Sequence, residues 1–180
     1  MSQTLLATLA LVVAMSFTLS VYQKQHALQR ATIFRELQEM AAAVGVETME
    51  IIRTRAFDQA VVDGSVTGTP DDILLFSDST DFGVSGTCAA FGGTATCDDI
   101  DDFHNQQPIR PFVLGRDTIY FQVIIQVEYV EYNPAGEPVS SSTKTEYKRV
   151  KLAIQDYWKN GRHPYIPIPI KLERTFSYKF

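Results

Sequence analysis

The chain has 180 residues, 45% of them hydrophobic and 21% charged, with a mean hydropathy of −0.06. Those averages exclude a polytopic membrane protein, a disordered chain, a collagen and a disulfide-dense mini-protein. A formal net charge of −5 argues against a nucleic-acid binder, so no nucleic-acid partner is expected.

The averages hide an uneven distribution. From Met1 to Gln23 there is no charged side chain. The stretch from Leu5 to Tyr22 (LLATLALVVAMSFTLSVY) holds no Gly or Pro, and its polar residues are Thr8, Ser16, Thr18 and Ser20. Eighteen helical residues span about 27 Å, close to the thickness of a bilayer's hydrocarbon core. Ser and Thr can bond back to the helix, so they do not break it. Three readings compete. The first is a secretory signal cut near Ala14-Met15-Ser16, although it has no basic n-region and its apolar core is long. The second is a plain membrane anchor. The third is a helix that sits first in the membrane and later in a protein assembly. The flanking positives Lys24, Arg30 and Arg35 lie C-terminal to the stretch, which by the positive-inside rule would keep the remainder cytoplasmic. A basic leader removed ahead of Met1 would reconcile this with export.

From Gln23 to about Phe57 there is no Pro, and the sole Gly is Gly45. Ile33, Leu37, Met40, Val44 and Ile51 recur at three- and four-residue spacing, with Phe34, Ala41, Met49 and Ile52 beside them. That is one face of an amphipathic helix. The expectation is a single helix of about 50 residues, roughly 75 Å long, over residues 1–57. Residues 1–22 form its membrane or filament-core segment. The alternative is an anchor followed by a separate helix. A soluble domain of this size cannot cover such a rod, so lipid or other copies must.

The remaining residues, 58–180, are expected to form a globular loop and sheet domain. Between Arg55 and Arg110 there is no Lys or Arg but there are ten Asp, amid Gly, Ser and Thr. This predicts surface loops with short elements such as Ile73–Phe76 and a solvated acidic surface. Cys88 and Cys97, nine apart across Gly92-Gly93, suit a small surface disulfide, with a metal pair as the alternative. Asp98, Asp99, Asp101 and Asp102 offer carboxylates for Ca²⁺ but lack the spaced pattern of a calcium loop.

From Thr118 to Tyr132 the pattern alternates, with Ile119, Phe121, Val123, Ile125, Val127 and Tyr129 on one side. Asn133-Pro-Ala-Gly136 makes a turn. A second strand carries Val150, Leu152 and Ile154 on its core side. Lys148, Arg149 and Lys151 read as a small basic patch. Asn160-Gly161 ends this segment, His163-Pro164 and Ile166–Pro169 are extended, and Ile170–Phe180 can add an edge strand. Trp158 and the tyrosines fit a sheet surface or subunit contacts. The fold class is therefore α+β, with a long N-terminal helix packed on an antiparallel sheet. No nucleophile, zinc or phosphate-loop motif is present, and His26, His104 and His163 have no partner in sequence, so neither catalysis nor a cofactor or metal is expected.

An uncharged apolar opening to a helix of about 50 residues, then loops, then an antiparallel hairpin, resembles a type IV pilin or pseudopilin. The segment Met1–Ala14 (MSQTLLATLALVVA) is similar to the start of a processed pilin, and Tyr147–Ile154 (YKRVKLAI) to a strand of the family's sheet. The layout likeness covers most of the chain, and the pattern only the first 50 or so residues. Leu5 stands where the family usually has Glu, and Tyr22 where a helix-breaking Pro is frequent. Ser2, Gln3 and Thr4 are then expected to meet a neighbour's N-terminal amine. The resemblance implies a helical filament of identical subunits at the cell surface, reached through the inner membrane by way of a prepilin peptidase and pilus assembly machinery. The residues expected to pack the filament core are Leu5, Leu6, Leu9, Val12, Val13, Phe17 and Val21. The alternatives are a minor pseudopilin of a secretion or DNA-uptake machine, a membrane-anchored periplasmic binding module, and a secreted enzyme.

Overall fold

The computed structural model describes residues 2–157 and 166–179, with the side chains of Ser2, Thr4 and Leu6 outside that description. The expectations for Trp158, Asn160-Gly161 and His163-Pro164 fall outside the described residues. The elements are helix α1 (Ser2–Arg53), a one-turn helix α2 (Gln59–Val62), and strands β1 (Ile109–Leu114), β2 (Asp117–Tyr132), β3 (Pro138–Ser140), β4 (Tyr147–Asp156) and β5 (Ile170–Ser177). The class is α+β, as the pattern implies. Chain contacts divide it into two units, residues 1–38 and 39–180, so the last part of α1 belongs to the sheet-bearing unit.

As far as Gln23, α1 carries no charged side chain. The hydroxyls of Thr8, Ser16 and Thr18 donate to the carbonyls of Leu5, Val13 and Met15 at 3.0, 2.8 and 2.9 Å. Each of these three hydroxyls is thereby satisfied within the helix.

The second unit is built on an antiparallel sheet in the order β1-β2-β4-β5, with β3 also on β2. The period of two fixes the register. Val123 pairs Ile154, Ile125 pairs Leu152, and Val127 pairs Val150, all buried. Among the described residues β5 pairs only with β4 and is an edge strand. β1, unexpected from sequence, is the other edge, where Pro111 is tolerated because one side of its backbone needs no ladder. The helix ends at Arg53 rather than near Phe57, and its buried residues here are Ala41, Val44, Gly45, Thr48, Met49 and Ile52. Met40 and Ile51 are only half-buried. The small residues explain this shift. A Cβ on Gly45 would lie 2.6 Å from Leu172 Cδ1 and 2.9 Å from Ile154 Cδ1, so glycine lets the helix backbone approach the sheet. Glu47 binds Arg110 of β1 at 2.6 Å and Glu50 binds Arg174 of β5 at 3.1 Å, clamping the helix at both sheet edges.

The Asp-rich stretch is not a plain solvated surface. Asp58, Asp72, Asp99 and Asp101 are buried, while Asp63, Asp71, Asp78 and Asp81 are exposed. The Asp72 carboxylate gathers the N–H groups of Thr67, Gly68 and Thr69 at 2.7–3.1 Å and so closes its own loop. The short element expected at Ile73–Phe76 is a 3₁₀ helix over Pro70–Leu75 that delivers Phe76 to the core. Cys88 and Cys97 are joined in a disulfide.

Candidate functional site

Two places in the molecule carry chemistry that a self-contained domain does not need. The first is the apolar segment of α1. Leu5, Leu9, Val12, Val13 and Phe17 are 58–70% exposed and Val21 is 39% exposed, while the side chain of Leu6 is not described. An uncovered apolar surface of this extent marks a site of contact with lipid or protein. Among the described residues α1 is also the one helix long and apolar enough to cross a membrane, by length and composition. These residues line one half of the helix, and Leu11, Met15 and Leu19, also 56–64% exposed, lie on the other half, so the segment suits an environment that is apolar on every side. Near the end of this segment the Tyr22 and His26 rings meet edge to face, with centroids 4.3 Å apart.

The second is a buried ionic cluster that the sequence reading misplaced. Lys148 is not part of a basic patch. The register of β4 puts it on the same face as Val150, Leu152 and Ile154, and it is fully buried. Its Nζ donates to Asp58 Oδ2 at 2.6 Å, Asp101 Oδ2 at 2.6 Å and the Phe57 carbonyl at 2.9 Å. The rings of Phe57, Phe76, Phe82 and Tyr129 surround the ammonium with centroids 4.5–5.8 Å away. Arg149 and Lys151, its neighbours on the opposite face, are both paired with Glu128. The basic patch therefore dissolves into internal pairs.

The two carboxylates that meet Lys148 differ in their surroundings. Asp58 precedes α2 and caps it by accepting from Ala60 N–H at 3.1 Å. It also accepts from Ser77 N–H and Oγ–H at 3.0–3.2 Å and from the Tyr129 hydroxyl at 3.3 Å. Burial pushes its carboxyl up, but the charge and hydrogen bond of Lys148, with the Ala60 N–H, outweigh this and hold it below the usual range. Asp101 Oδ2 meets Lys148, but Asp101 Oδ1 is buried with no hydrogen-bond partner. Burial dominates there and pushes the carboxyl up to about 8 despite Lys148, with Asp99 and Asp58 adding to the rise. Burial likewise raises Asp99 to about 6 and lifts the Tyr129 phenol far above its ordinary value. At neutral pH the cluster is one ammonium, one carboxylate (Asp58) and one neutral acid (Asp101), which leaves no net buried charge.

Metal chemistry finds little footing. Asp102 Oδ2 accepts from the N–H groups of Asp98 and Asp99, and Asp99 Oδ1 accepts from that of Asp102, so these carboxylates fold their own loop instead of facing a common centre. Among the described residues no group of three or more His, Cys, Asp or Glu is arranged to hold a metal ion. His104 is half-buried, and its Nδ1 accepts from the Val127 N–H at 3.0 Å. A shallow depression of about 740 Å³ on the sheet, lined by Ile124, Gln126, Lys151, Ala153, Lys171 and Glu173, contains no nucleophile beside a base. No protein-family model matches the chain, and neither a curated protein nor a solved structure matches it.

Proposed function

We propose that the chain is a structural subunit of a type IV pilus-like helical filament at the cell surface, not an enzyme. The observation that carries this reading is the uncovered apolar segment of α1 on a chain whose other unit has its own core. The segment rests in the inner membrane before assembly. Copies then trade lipid for one another, so that Leu5, Leu6, Leu9, Val12, Val13, Phe17 and Val21 pack a helical core while the sheet-bearing units form the wall. Processing by a prepilin peptidase and extrusion by pilus assembly machinery complete the reading, and it requires no cofactor. Burial of about 1,500 Å² of apolar surface per subunit is worth tens of kcal/mol before entropy costs, at about 25 cal/mol/Å².

The test is assembly. A carboxylate at the centre of an apolar helix costs roughly 3 kcal/mol even on the mildest scale. Leu9→Asp and Val13→Asp chains are expected to accumulate as folded protein and to yield no filaments in electron micrographs of sheared cells. Normal filaments from either variant would overturn the core assignment. Leu5, in place of the family's usual Glu, favours a second reading as a minor pseudopilin. Purified filaments containing this chain only in trace amount would decide for that second reading.

A further inference from the structure

We propose that Lys148 and Asp101 join in an intramolecular amide bond, with Asp58 as the proton acceptor that drives it. The inference goes beyond the filament reading and does not depend on it.

Geometry supplies the case. Lys148 Nζ sits between two carboxyl groups, with one oxygen of each at 2.6 Å. All three side chains are essentially removed from water. Four aromatic rings cage the nitrogen. An amine and a carboxylic acid condense poorly in water, where both are ionised and each is separately solvated. Held together in a dry cavity they meet at an effective concentration far above any in solution. The low dielectric favours neutral partners over the ion pair.

The two acids are suited to different parts. Asp58 has both oxygens engaged by Ala60, Ser77, Tyr129 and Lys148, and stays ionised. Losing an oxygen there would strip several donors of their acceptor. Asp101 has one oxygen with no partner at all, and burial keeps it in its acid form. A neutral acid is a far better acyl electrophile than a carboxylate, and its unbonded oxygen is the one that can leave.

The step balances. The Lys148 ammonium passes one proton to the Asp58 carboxylate. The free amine attacks Cγ of Asp101, forming an N–C bond and a tetrahedral centre. The C–O bond to the departing hydroxyl breaks as that oxygen takes a second proton from nitrogen, relayed by Asp58, and leaves as water. The products are one amide, one water and a protonated Asp58. Nothing is oxidised or reduced, and no co-reactant is needed. The amide links β4 to the loop that follows the disulfide, across 47 residues of sequence.

Mass spectrometry of the full-length protein, reduced and alkylated, tests this. The intact mass is expected to fall short of the sequence mass by one water. Asp63-Gly64 can lose water as a succinimide, so the fragment spectrum must decide. After trypsin, the peptide Thr145–Arg149 is expected uncleaved at Lys148 and covalently attached to the peptide that begins at Ala56. No Lys or Arg separates Arg55 from Arg110, so that one peptide holds both Asp58 and Asp101, and fragment ions must place the bond on Asp101. Lys148→Met and Asp101→Ala chains should run at full mass. So should Asp58→Asn, provided that its far-ultraviolet circular dichroism shows a folded domain. An unmodified Thr145–Lys148 peptide in full yield from wild-type protein overturns the proposal, as does a bond to Asp58. A folded Asp58→Asn chain that still carries the amide overturns the role given to Asp58. Because the wild-type spectrum decides alone, a variant that fails to fold does not rescue the idea.

Discussion

Replacing Lys148 by Met keeps the length and apolar body of the side chain and removes the ammonium that three segments share. The Phe57 carbonyl, Asp58 and Asp101 each lose a donor at 2.6–2.9 Å. Removing one partner from a buried pair costs about 3–5 kcal/mol, because the other charge is left unpaired. The structure says where in that range the loss falls. Asp58 keeps Ala60, Ser77 and Tyr129 as donors but loses the charge that offsets its burial. Asp101 is neutral below about pH 8 and needs no counter-charge there. The cost is therefore about 3 kcal/mol at pH 6 and nearer 5 at pH 9, where the wild type can ionise Asp101 beside Lys148 but the variant must keep it protonated. For a chain of this size that converts to a fall in Tm of roughly 6–12 °C at pH 6 and 10–20 °C at pH 9. A covalent link would add to both figures. The assay is a thermal melt of the full chain in detergent, followed by circular dichroism at the two pH values. The double variant Lys148→Met, Asp101→Leu is expected to recover part of the loss, most of it at pH 9. A Lys148→Met chain that melts with wild type at both pH values would refute the cluster's structural role.

Two other outcomes follow from the same unit. Gly45→Ala, which stabilises an exposed helix by about 1 kcal/mol, is expected to lower Tm here, because overpacking against Leu172 and Ile154 costs about 1–3 kcal/mol. A higher Tm would remove the close-approach argument. Asp99 and Asp101 titrate near 6 and 8 in the folded chain, above the usual carboxylate value of 3.8. The folded state therefore holds protons that the unfolded chain has released. The stability these groups contribute is complete below about pH 4 and is lost as pH rises through 6 and then 8. Asp58 is shifted the other way, and its contribution is lost only at strongly acidic pH. Urea unfolding should thus show stability falling from pH 5 to pH 9, whereas a rise over that interval contradicts the assignment. In protein carrying the Lys148–Asp101 amide, Asp101 no longer titrates and only the lower step remains.

How far the sequence reveals this architecture depends on which periodicity each segment keeps. β2 alternates from Ile119 to Tyr129 with large apolar side chains on one parity, and those faces follow directly, although Val130 on the other parity is also buried. The sheet-facing stripe of α1 is harder to read. Its closest approach is made at Gly45, which has no side chain, while Ala41, Val44, Met49 and Ile52 are buried as expected and the larger Met40 and Ile51 only half so. β1 carries a proline and no alternation, and becomes a strand by pairing with residues 117–122 of β2 on the side away from β4. The cluster was half visible. Lys148 shares parity with Val150, Leu152 and Ile154, and a lysine on an apolar parity demands a buried partner. Which of ten Asp residues would answer it was not visible, since Asp58 and Asp101 lie 90 and 47 residues away. Only the tertiary fold selects them.

The same selection explains how an acidic stretch with no base of its own can hold buried carboxylates. Asp72 needs no cation, because backbone N–H groups at 2.7–3.1 Å hold its charge locally. Asp58 and Asp101 cannot both be satisfied that way, and the sheet lends a single ammonium to the two of them. One cation between two carboxyls leaves an excess negative charge that the interior cannot keep. Two exits are open. A proton on Asp101 neutralises it reversibly, at the cost of sensitivity to alkaline pH. Condensation removes Asp101 as an acid altogether and makes the junction of β4 and the acidic loop permanent.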